Sequence, residues 1–501
     1  MKPAEFGSVT MSWGVIFLLV ATMEGLLYFL DPLPMFFMGD SASYIKTALT
    51  GWIPPDRSFL YGYIVRWVSL PTRSLSSLVG LQVAIGVATT FLAAYLLVRY
   101  FGISRRWALL VGALYAAEPM HLMYERYIMT ETLSLGMFAF GMTVAFRYIG
   151  RPRFSTMFLF HLLGIATVAL RLIFLPAVLS MGILLPILAI PAFRNSVQAG
   201  KRMPKTERKR WAGMLSPRWM AGISLAFSMA MFLILHGGYK TLNGALSGRP
   251  PAYQYENGFF LLADWGPVLR RVDLPFPEKA DAVFDGLRYD LSDRNTRGSQ
   301  RWGPGGLISN LRAAIPNSAE ANRIASQTAM NALRRDPFGV AALGALTFAD
   351  YWDIGTLRAG ILVDRGDGRE LPEDFLYALK IVYGLEARLL PHTETLTKWY
   401  YLHAWPWYLF LLCLPVPAFF AVCVCDHRNR PFLVLLLTVT CATVIMACLL
   451  VERPTVRYLQ PLGWMAFLVI PPLVENCMGR IRRGSGSMRT MPAGGKGSPT
   501  L

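Results

Sequence analysis

The sequence predicts an all-α polytopic membrane protein with about ten transmembrane helices and a large, mainly helical extracytoplasmic loop domain. Hydrophobic residues make up 54% of the 501 residues and charged residues only 16%. The mean hydropathy of +0.39 is far from the balance of a soluble domain. Most of the apolar runs are long enough to cross a hydrocarbon core of about 30 Å. The predicted spans are 13–30, 76–98, 107–117, 127–146, 155–170, 172–192, 219–236, 403–423, 431–450 and 458–475.

The net charge of +18 is concentrated in alternate connections between these runs. Because basic residues accumulate on the cytoplasmic side of membrane proteins, the alternation predicts an integral plasma (inner) membrane protein with both termini in the cytoplasm. These side chains are expected to contact anionic membrane lipids. No nucleic-acid role is expected, because no reading motif accompanies them. The basic connections hold Arg99, Arg105 and Arg106; Arg147, Arg151 and Arg153; Arg194 to Arg218; Arg428 and Arg430; and Arg480, Arg482 and Arg483.

The same pattern divides the chain into four parts. An N-terminal transmembrane module covers 1–236 and contains a first outer loop at 31–75. An extracytoplasmic loop domain follows at 237–402, and C-terminal transmembrane helices at 403–478. The tail at 479–501 ends in a stretch rich in Gly, Ser and Pro, a composition that predicts disorder.

The loop domain is predicted to contain helices of its own. Their periodicity places them near 306–314, 318–335 and 338–360, and Asn317 is a good N-cap for the second of them. Glu320 is placed to complete a capping box with it. All six cysteines fall in the last spans and their flanks, so no disulfide framework is expected in this domain.

Several charged residues that topology does not explain fall on the predicted outer side. An unpaired carboxylate beside the lipid interface, such as Asp40 after the first span, is by default a functional candidate. A simpler alternative is that Asp40 caps a short helix at 41–49. Another is that Glu125 and Arg126 form an interfacial ion pair of little energetic value.

Carboxylates and arginines gathered on one face suit group transfer from a lipid phosphate. A carboxylate can accept the proton of a hydroxyl nucleophile, and arginine presents paired donors that match a phosphate. A polyprenyl phosphate keeps its tail in the bilayer and its headgroup at the interface, where these residues are predicted to lie. The sequence contains no P-loop, dinucleotide-binding, zinc-protease or serine-hydrolase motif.

Four passages of the outer connections together resemble the membrane-integral glycosyltransferases of the GT-C superfamily. This superfamily includes the dolichyl-phosphate-mannose protein mannosyltransferases and the bacterial aminoarabinose transferases. The order of the passages and their shared side carry the resemblance, since each alone is short. They are Gly39-Asp40-Ser41 with Tyr44; Glu118-Pro119 to Tyr124-Glu125-Arg126 and Thr130-Glu131-Thr132; Leu170-Arg171-Leu172; and Glu452-Arg453-Pro454 to Arg457-Tyr458.

The resemblance implies transfer of a sugar from a polyprenyl-phosphate-linked donor to an unidentified extracytoplasmic acceptor, which is a lipid, glycan or protein. It implies that Asp40 is the catalytic carboxylate of an inverting transfer. Many members place a second acidic residue directly after this Asp, where the present chain has Ser41. A divalent metal therefore stays open, and a second acid would come from Glu118, Glu125 or Glu131. The implied catalytic residues are Asp40, Glu125 and Glu131, and the implied substrate- or phosphate-binding residues are Tyr44, Glu118, Arg126, Arg171, Arg453, Arg457 and Tyr458.

Three other classes of protein compete with this interpretation. A transporter or flippase of a lipid-linked or anionic substrate would use charges near the bilayer midplane and often shows inverted repeats, but the sequence shows no repeat between its halves. A non-catalytic envelope-assembly protein would not require Asp40 or Arg457. An O-antigen-ligase-like enzyme would share the lipid-linked donor but not the Asp of the first loop.

Overall fold

The computed structural model describes residues 11–194, 216–366 and 370–487, and within these ranges it is entirely helical, with 78% helix and no strand. Met35 and Tyr127 form an isolated parallel β-bridge. The side chains of Met38 and of residues 479–487 are not described. Most of the basic connection between 194 and 218, and the predicted tail beyond 487, lie outside the described residues.

Seven helices of the described chain are long and apolar enough to cross a membrane, or eight if a pair bent by 52° counts as one span. The all-helical class with candidate membrane spans is confirmed, whereas the count of about ten and the extracytoplasmic position of the loop domain are not. The predicted third and fifth spans are helices of only 12 and 17 residues, and a crossing needs about 20. The candidates are α1 (Trp13–Leu30), α4 (Leu75–Phe101), α7 (Glu131–Gly150), α9 (Leu175–Leu188, within Leu172–Arg194), α10 (Pro217–Ser247), the bent pair α20 (Trp405–Leu412) and α21 (Pro415–Val424), α22 (Arg430–Leu449) and α23 (Gln460–Ser487, which together with the 3₁₀ turn before it gives the candidate span Val456–Met478).

Shorter helices connect the candidate spans. They include two helices after α1, two that replace predicted spans, and a series after residue 247, where α10 ends. Between α1 and α10 they are α2 (Met38–Thr50), α3 (Phe59–Thr72), α5 (Arg105–Ala116), α6 (Pro119–Tyr124) and α8 (Phe154–Leu170). After α10 they are α11 (Asn257–Asp264), α12 (Ala280–Phe284), α13 (Arg297–Trp302), α14 (Leu307–Ala314), α15 (Ser318–Arg335), α16 (Pro337–Asp350), α17 (Ile354–Asp364), α18 (Glu373–Tyr383) and α19 (Leu396–His403).

Capping side chains determine where two helices of the loop domain begin. The Asn317 side chain accepts hydrogen bonds from the backbone of residues 319 and 320, so α15 begins where the sequence predicts it. The Glu320 carboxylate pairs with Arg323. The predicted helix at 338–360 is instead two helices, because Asp353 caps a new helix by accepting from the backbone of residues 355 and 356.

The loop domain is hydrogen-bonded to the C-terminal end of α22. It has an apolar core of its own, and the indole nitrogen of Trp265 donates to the carbonyl of Leu449 at 2.9 Å. The buried Tyr351 hydroxyl lies 3.2 Å from the carbonyl oxygens of both Ala447 and Thr455, and its one hydrogen is donated to either of them. These bonds fix the segment that follows α22, which leads to Arg457.

Candidate functional site

A cavity of about 420 Å³ lies where the connections predicted to be on the outer side meet the loop domain. Its volume falls in the range of about 300–1,000 Å³ that is usual for small-molecule sites. Its charged lining consists of four carboxylates and four guanidinium groups, so the charges balance. They belong to Asp40, Asp56, Glu131 and Asp264, and to Arg57, Arg171, Arg301 and Arg457. We call this the Asp40 cavity.

Asp40 lies between two arginines from distant parts of the chain. Its Oδ1 is 2.7 Å from Nη2 of Arg57, and its Oδ2 is 3.3 Å from Nη1 of Arg457. Helix α2 begins at Met38 with Phe37 as its N-cap residue, so Asp40 belongs to the first helical turn. The alternative that Asp40 merely caps a helix at 41–49 is therefore wrong, because both carboxylate oxygens are committed to arginine.

The arginines also control the ionisation of Asp40. Burial alone raises its pKa, but the charges and hydrogen bonds of Arg57 and Arg457 outweigh burial and hold the pKa below its ordinary value. The carboxylate is therefore ionised at neutral pH. Burial raises the pKa of the neighbouring Tyr44 to about 12, and its neutral hydroxyl lies 3.5 Å from Nη1 of Arg57.

Ser41, the residue after Asp40, points away from the Asp40 cavity. Its buried hydroxyl accepts from the backbone N–H of Phe37 at 2.8 Å and donates to the carbonyl of Ile128 at 3.0 Å. The side chain thereby fixes α2 against the strand-like segment after α6. A carboxylate at this position would lie in packed interior rather than beside Asp40.

Glu131 and Arg171 form a second buried ion pair of the Asp40 cavity, with 3.6 Å between Oε1 and Nη2. The ring of Tyr458 lies between two guanidinium groups, at 5.2 Å from that of Arg171 and 5.2 Å from that of Arg457. These four residues and Asp40 come from four separate passages of the sequence. The structure therefore brings together Asp40, Tyr44, Glu131, Arg171, Arg457 and Tyr458 of the predicted site residues.

Glu118 and Arg126 are predicted site residues that do not line the Asp40 cavity. Glu118 accepts from the backbone of His121 at 2.7 Å and from the indole of Trp407 at 2.8 Å, and it borders a separate, mostly apolar groove of about 660 Å³. Arg126 donates to the backbone carbonyls of residues 27, 31 and 122. Both side chains stabilise the packing of α6 in this structure.

Arg453 and Glu125 are likewise outside the cavity. The Arg453 side chain is 42% exposed and lies 3.8 Å from Glu452. Glu125 is buried beside Glu24 and His121, and these three form the one set of potential metal ligands found among the described residues. The surroundings of Asp40 are rich in arginine and do not resemble a metal site.

Several residues that line the Asp40 cavity were not predicted from the sequence. The rule that basic residues accumulate on the cytoplasmic side would have identified the most important of them, Arg57. Arg57 is a basic residue in the predicted first outer loop, where the orientation rule does not require one; the same argument singled out Arg171. Asp264 and Arg301 come from the loop domain, and no pattern connects them to Asp40. Burial raises the pKa of Asp264 to about 7.

Asp364 is a further residue that sequence reasoning missed, because Arg- and Gly-rich surroundings such as its own are typical of a turn. It is buried at the end of α17, and its Oδ2 accepts a hydrogen bond from the backbone N–H of Arg457 at 3.3 Å. Burial raises its pKa to about 6. Asp364 therefore positions the backbone of an arginine that contacts Asp40, although it does not line the cavity itself.

No family model, curated protein or solved structure matches this chain. The chemistry of the cavity is thus the basis for a functional proposal. It offers an ionised carboxylate, guanidinium groups that match an anionic oxygen cluster, and an apolar edge formed by Leu170, Leu172, Ile173, Leu175 and Pro176. An amphipathic anion with a polar head and an apolar tail fits this combination.

Proposed function

We propose that this chain is an integral-membrane glycosyltransferase of the GT-C kind. It transfers a sugar from a polyprenyl-phosphate-linked donor to an extracytoplasmic acceptor, with Asp40 as general base. The observation that carries the proposal is the Asp40 carboxylate between Arg57 and Arg457, in a cavity with an apolar edge.

The arginines support a phosphate-binding role because a phosphate can compete for them. The guanidinium groups of Arg57 and Arg457 are paired with Asp40, and that of Arg171 with Glu131. A phosphate entering this set would take donors from the carboxylates. The charges and hydrogen bonds of Arg57 and Arg457, which lower the pKa of Asp40, would then act on it less strongly. Its pKa would rise, so donor binding would make Asp40 a stronger base.

The proposed reaction is a single displacement. The acceptor hydroxyl oxygen attacks the anomeric carbon of the sugar, and its proton passes to the Asp40 carboxylate. The new carbon–oxygen bond forms as the bond from the anomeric carbon to the phosphate oxygen breaks. The electron pair leaves with polyprenyl phosphate, whose charge Arg171 and Arg457 stabilise. Attack opposite the leaving group inverts the anomeric configuration.

The loop-domain side of the Asp40 cavity has side chains that suit binding of the acceptor or the sugar. The guanidinium group of Arg301 lies 3.5 Å from the ring centroid of Phe260 and 4.6 Å from that of Trp302. Asp264 lines the same side. Aromatic faces with hydrogen-bonding groups beside them suit a carbohydrate ring, so we assign sugar recognition to this side and phosphate binding to Arg171 and Arg457.

The test uses the purified full chain in proteoliposomes. Radiolabelled polyprenyl-phosphate pentoses and hexoses are supplied as donors, a cell-envelope glycolipid and glycan extract as acceptor, and released polyprenyl phosphate is measured. Wild-type protein and the exposed control Asp281→Asn are expected to release it, and Asp40→Asn is not. Full turnover by Asp40→Asn would reject the role of Asp40.

A second candidate, a transporter or flippase of a lipid-linked or anionic substrate, is favoured by one observation. Glu24 is a buried acid inside α1, in contact with His121, and ionisable groups within spans often mark transport pathways. Fluorescent polyprenyl-phosphate lipids in the same vesicles separate the two functions. A transporter moves the lipid between leaflets without releasing sugar, and does so in Asp40→Asn as well.

A further inference from the structure

A buried histidine and two buried glutamates meet where α1 contacts α6, outside the Asp40 cavity. The side chains of Glu24, His121 and Glu125 are 0%, 3% and 1% exposed. Nε2 of His121 lies 3.0 Å from Oε1 of Glu24 and 3.2 Å from Oε1 of Glu125. One ligand atom from each residue lies within 4.8 Å of the other two. We call these three residues the Glu24 cluster.

With both glutamates ionised, hydrogen bonding within the protein does not satisfy this cluster. A histidine Nε2 carries at most one hydrogen, so it can donate well to only one of the two carboxylates, and the shorter contact is to Glu24. Oε1 of Glu125 and Oε2 of Glu24 are buried and accept no hydrogen bond. Arg126 approaches Oε2 of Glu125 to 3.8 Å, but its hydrogen bonds go to backbone carbonyls.

We propose that Glu24, His121 and Glu125 bind a divalent first-row transition-metal ion, for which Zn²⁺ is the best match. The ion's two charges balance the two carboxylates, while a neutral imidazole coordinates through Nε2. An imidazole ligand disfavours Mg²⁺ and Ca²⁺, which prefer oxygen alone. Zinc bonds of about 2.0–2.1 Å in tetrahedral geometry separate ligand atoms by about 3.3 Å, close to the two contacts of His121.

Helix α4 supplies two further features that suit a metal site. The hydroxyl of Thr90 donates to Oε1 of Glu24 at 2.8 Å, as outer groups do when they orient metal ligands. Gly86 leaves the space that Glu125 occupies: a Cβ at this position would lie 1.7 Å from Oε1 of Glu125 and 3.1 Å from Cε1 of His121. Both residues keep the ligand atoms turned toward one another.

The position of the cluster indicates what the ion would do. It would tie α1 to α6, and the segment directly after α6 forms the bridge between Met35 and Tyr127 and accepts the hydrogen bond from Ser41 at Ile128. The ion would thus hold the base of the first outer loop. This role is structural and does not depend on the proposed glycosyl transfer.

The test measures metal directly. The full chain is purified in detergent without chelator, and its metal content is measured by mass spectrometry. A stripped sample is then titrated with Zn²⁺ and with Co²⁺. We expect about one ion per chain, held by the three side chains with water as the fourth ligand, visible absorption of four-coordinate Co²⁺, and a higher thermal midpoint with metal.

Four variants locate the ion, and one serves as a matched control. Glu24→Gln, His121→Asn and Glu125→Gln should each bind Zn²⁺ at least about tenfold more weakly. Gly86→Ala should do the same with all three ligands intact, because its methyl group displaces Glu125. His161→Gln removes another buried histidine, whose Nε2 contacts Ser228, and should bind like the wild type.

Two outcomes would overturn the proposal. One is wild-type protein that neither retains metal nor shows a Co²⁺ spectrum or thermal shift; this test needs no variant to fold. The other is Zn²⁺ affinity unchanged in every cluster variant that remains monodisperse. Loss of metal together with unchanged sugar transfer would still support the site, so its failure and that of the proposed function can be distinguished.

Discussion

The Asp40 cavity and the Glu24 cluster are two groups of charges with opposite properties. In the cavity, Asp40 is 20% exposed and its partners are arginines whose side chains are 16% and 19% exposed. In the cluster, two carboxylates share one histidine, and none of the three side chains is more than 3% exposed. The first group can exchange partners with an incoming anion, whereas the second is closed to any ligand larger than an ion.

This difference teaches that burial separates a reactive group from a structural one more clearly than charge does. Glu125 and Asp40 were both candidate catalytic acids from the sequence. Of these two, only Asp40 lines a cavity large enough for a small molecule. Removing a charged side chain from the Asp40 cavity should therefore change turnover or phosphate binding. Removing a charged side chain outside the cavity should leave both unchanged.

The largest expected effect is that of Asp40→Asn on turnover. Removing a general base lowers the rate of transfer by about 10²–10⁴-fold, and the amide retains the size and part of the polarity of the carboxylate. Initial rates of polyprenyl phosphate release in proteoliposomes measure it. A rate within a few-fold of wild type would show that the cavity contains no essential base at this position.

Arg457→Ala should weaken polyprenyl phosphate binding by about ten- to a hundredfold, since a hydrogen bond to a charged group contributes about 1.5–3 kcal/mol. Equilibrium binding of polyprenyl phosphate itself is measured, so the identity of the sugar does not matter. Arg457→Lys should recover part of the affinity, because it restores the charge but not the paired donors. Unchanged binding in Arg457→Ala would remove Arg457 from the phosphate site.

Arg57→Gln should move the acidic limb of kcat/KM to higher pH. The pKa of Asp40 is held below its ordinary value, so its carboxylate form persists as the pH falls, and it is lost only below the folded-state pKa. Arg57 is the strongest of the influences that lower this pKa. A pH–rate profile of wild type and variant checks the direction, and a limb that moves to lower pH would contradict it.

The smallest effect is expected for Arg453→Ala. Its side chain is 42% exposed and pairs only with Glu452 at 3.8 Å, a type of contact that contributes about 0–1 kcal/mol. Polyprenyl phosphate affinity should therefore change less than about threefold. A loss as large as that of Arg457→Ala would place Arg453 in the phosphate site, as the resemblance implies.

Much of the architecture could be predicted from the sequence because hydrophobic runs and caps act locally. α1 runs from Trp13 to Leu30 as predicted, and α15 starts after Asn317 as its capping signature indicates. The short helix α5 was predicted to span the membrane because its sequence is apolar. Hydropathy does not give the length of a helix, which the packing of the folded chain determines. The break before Asp353 was missed for a similar reason.

The candidate site was predictable only in part. Asp40, Glu131, Arg171 and Arg457 could be found because charges on the outer side have no topological explanation. Arg57 could have been found by the same rule. Asp264 and Arg301 could not, since only the packing of the loop domain brings them to the cavity. Glu24 was overlooked although an acid within a span is itself a signal.

The central claim is that Asp40 and the donor phosphate share the same arginines, and polyprenyl phosphate binding to Asp40→Asn tests it most directly. Removing the carboxylate charge frees Arg57 and Arg457 from their present partner. The account predicts that this inactive variant binds polyprenyl phosphate at least as tightly as the wild type. Weaker binding by a correctly folded Asp40→Asn protein would contradict it.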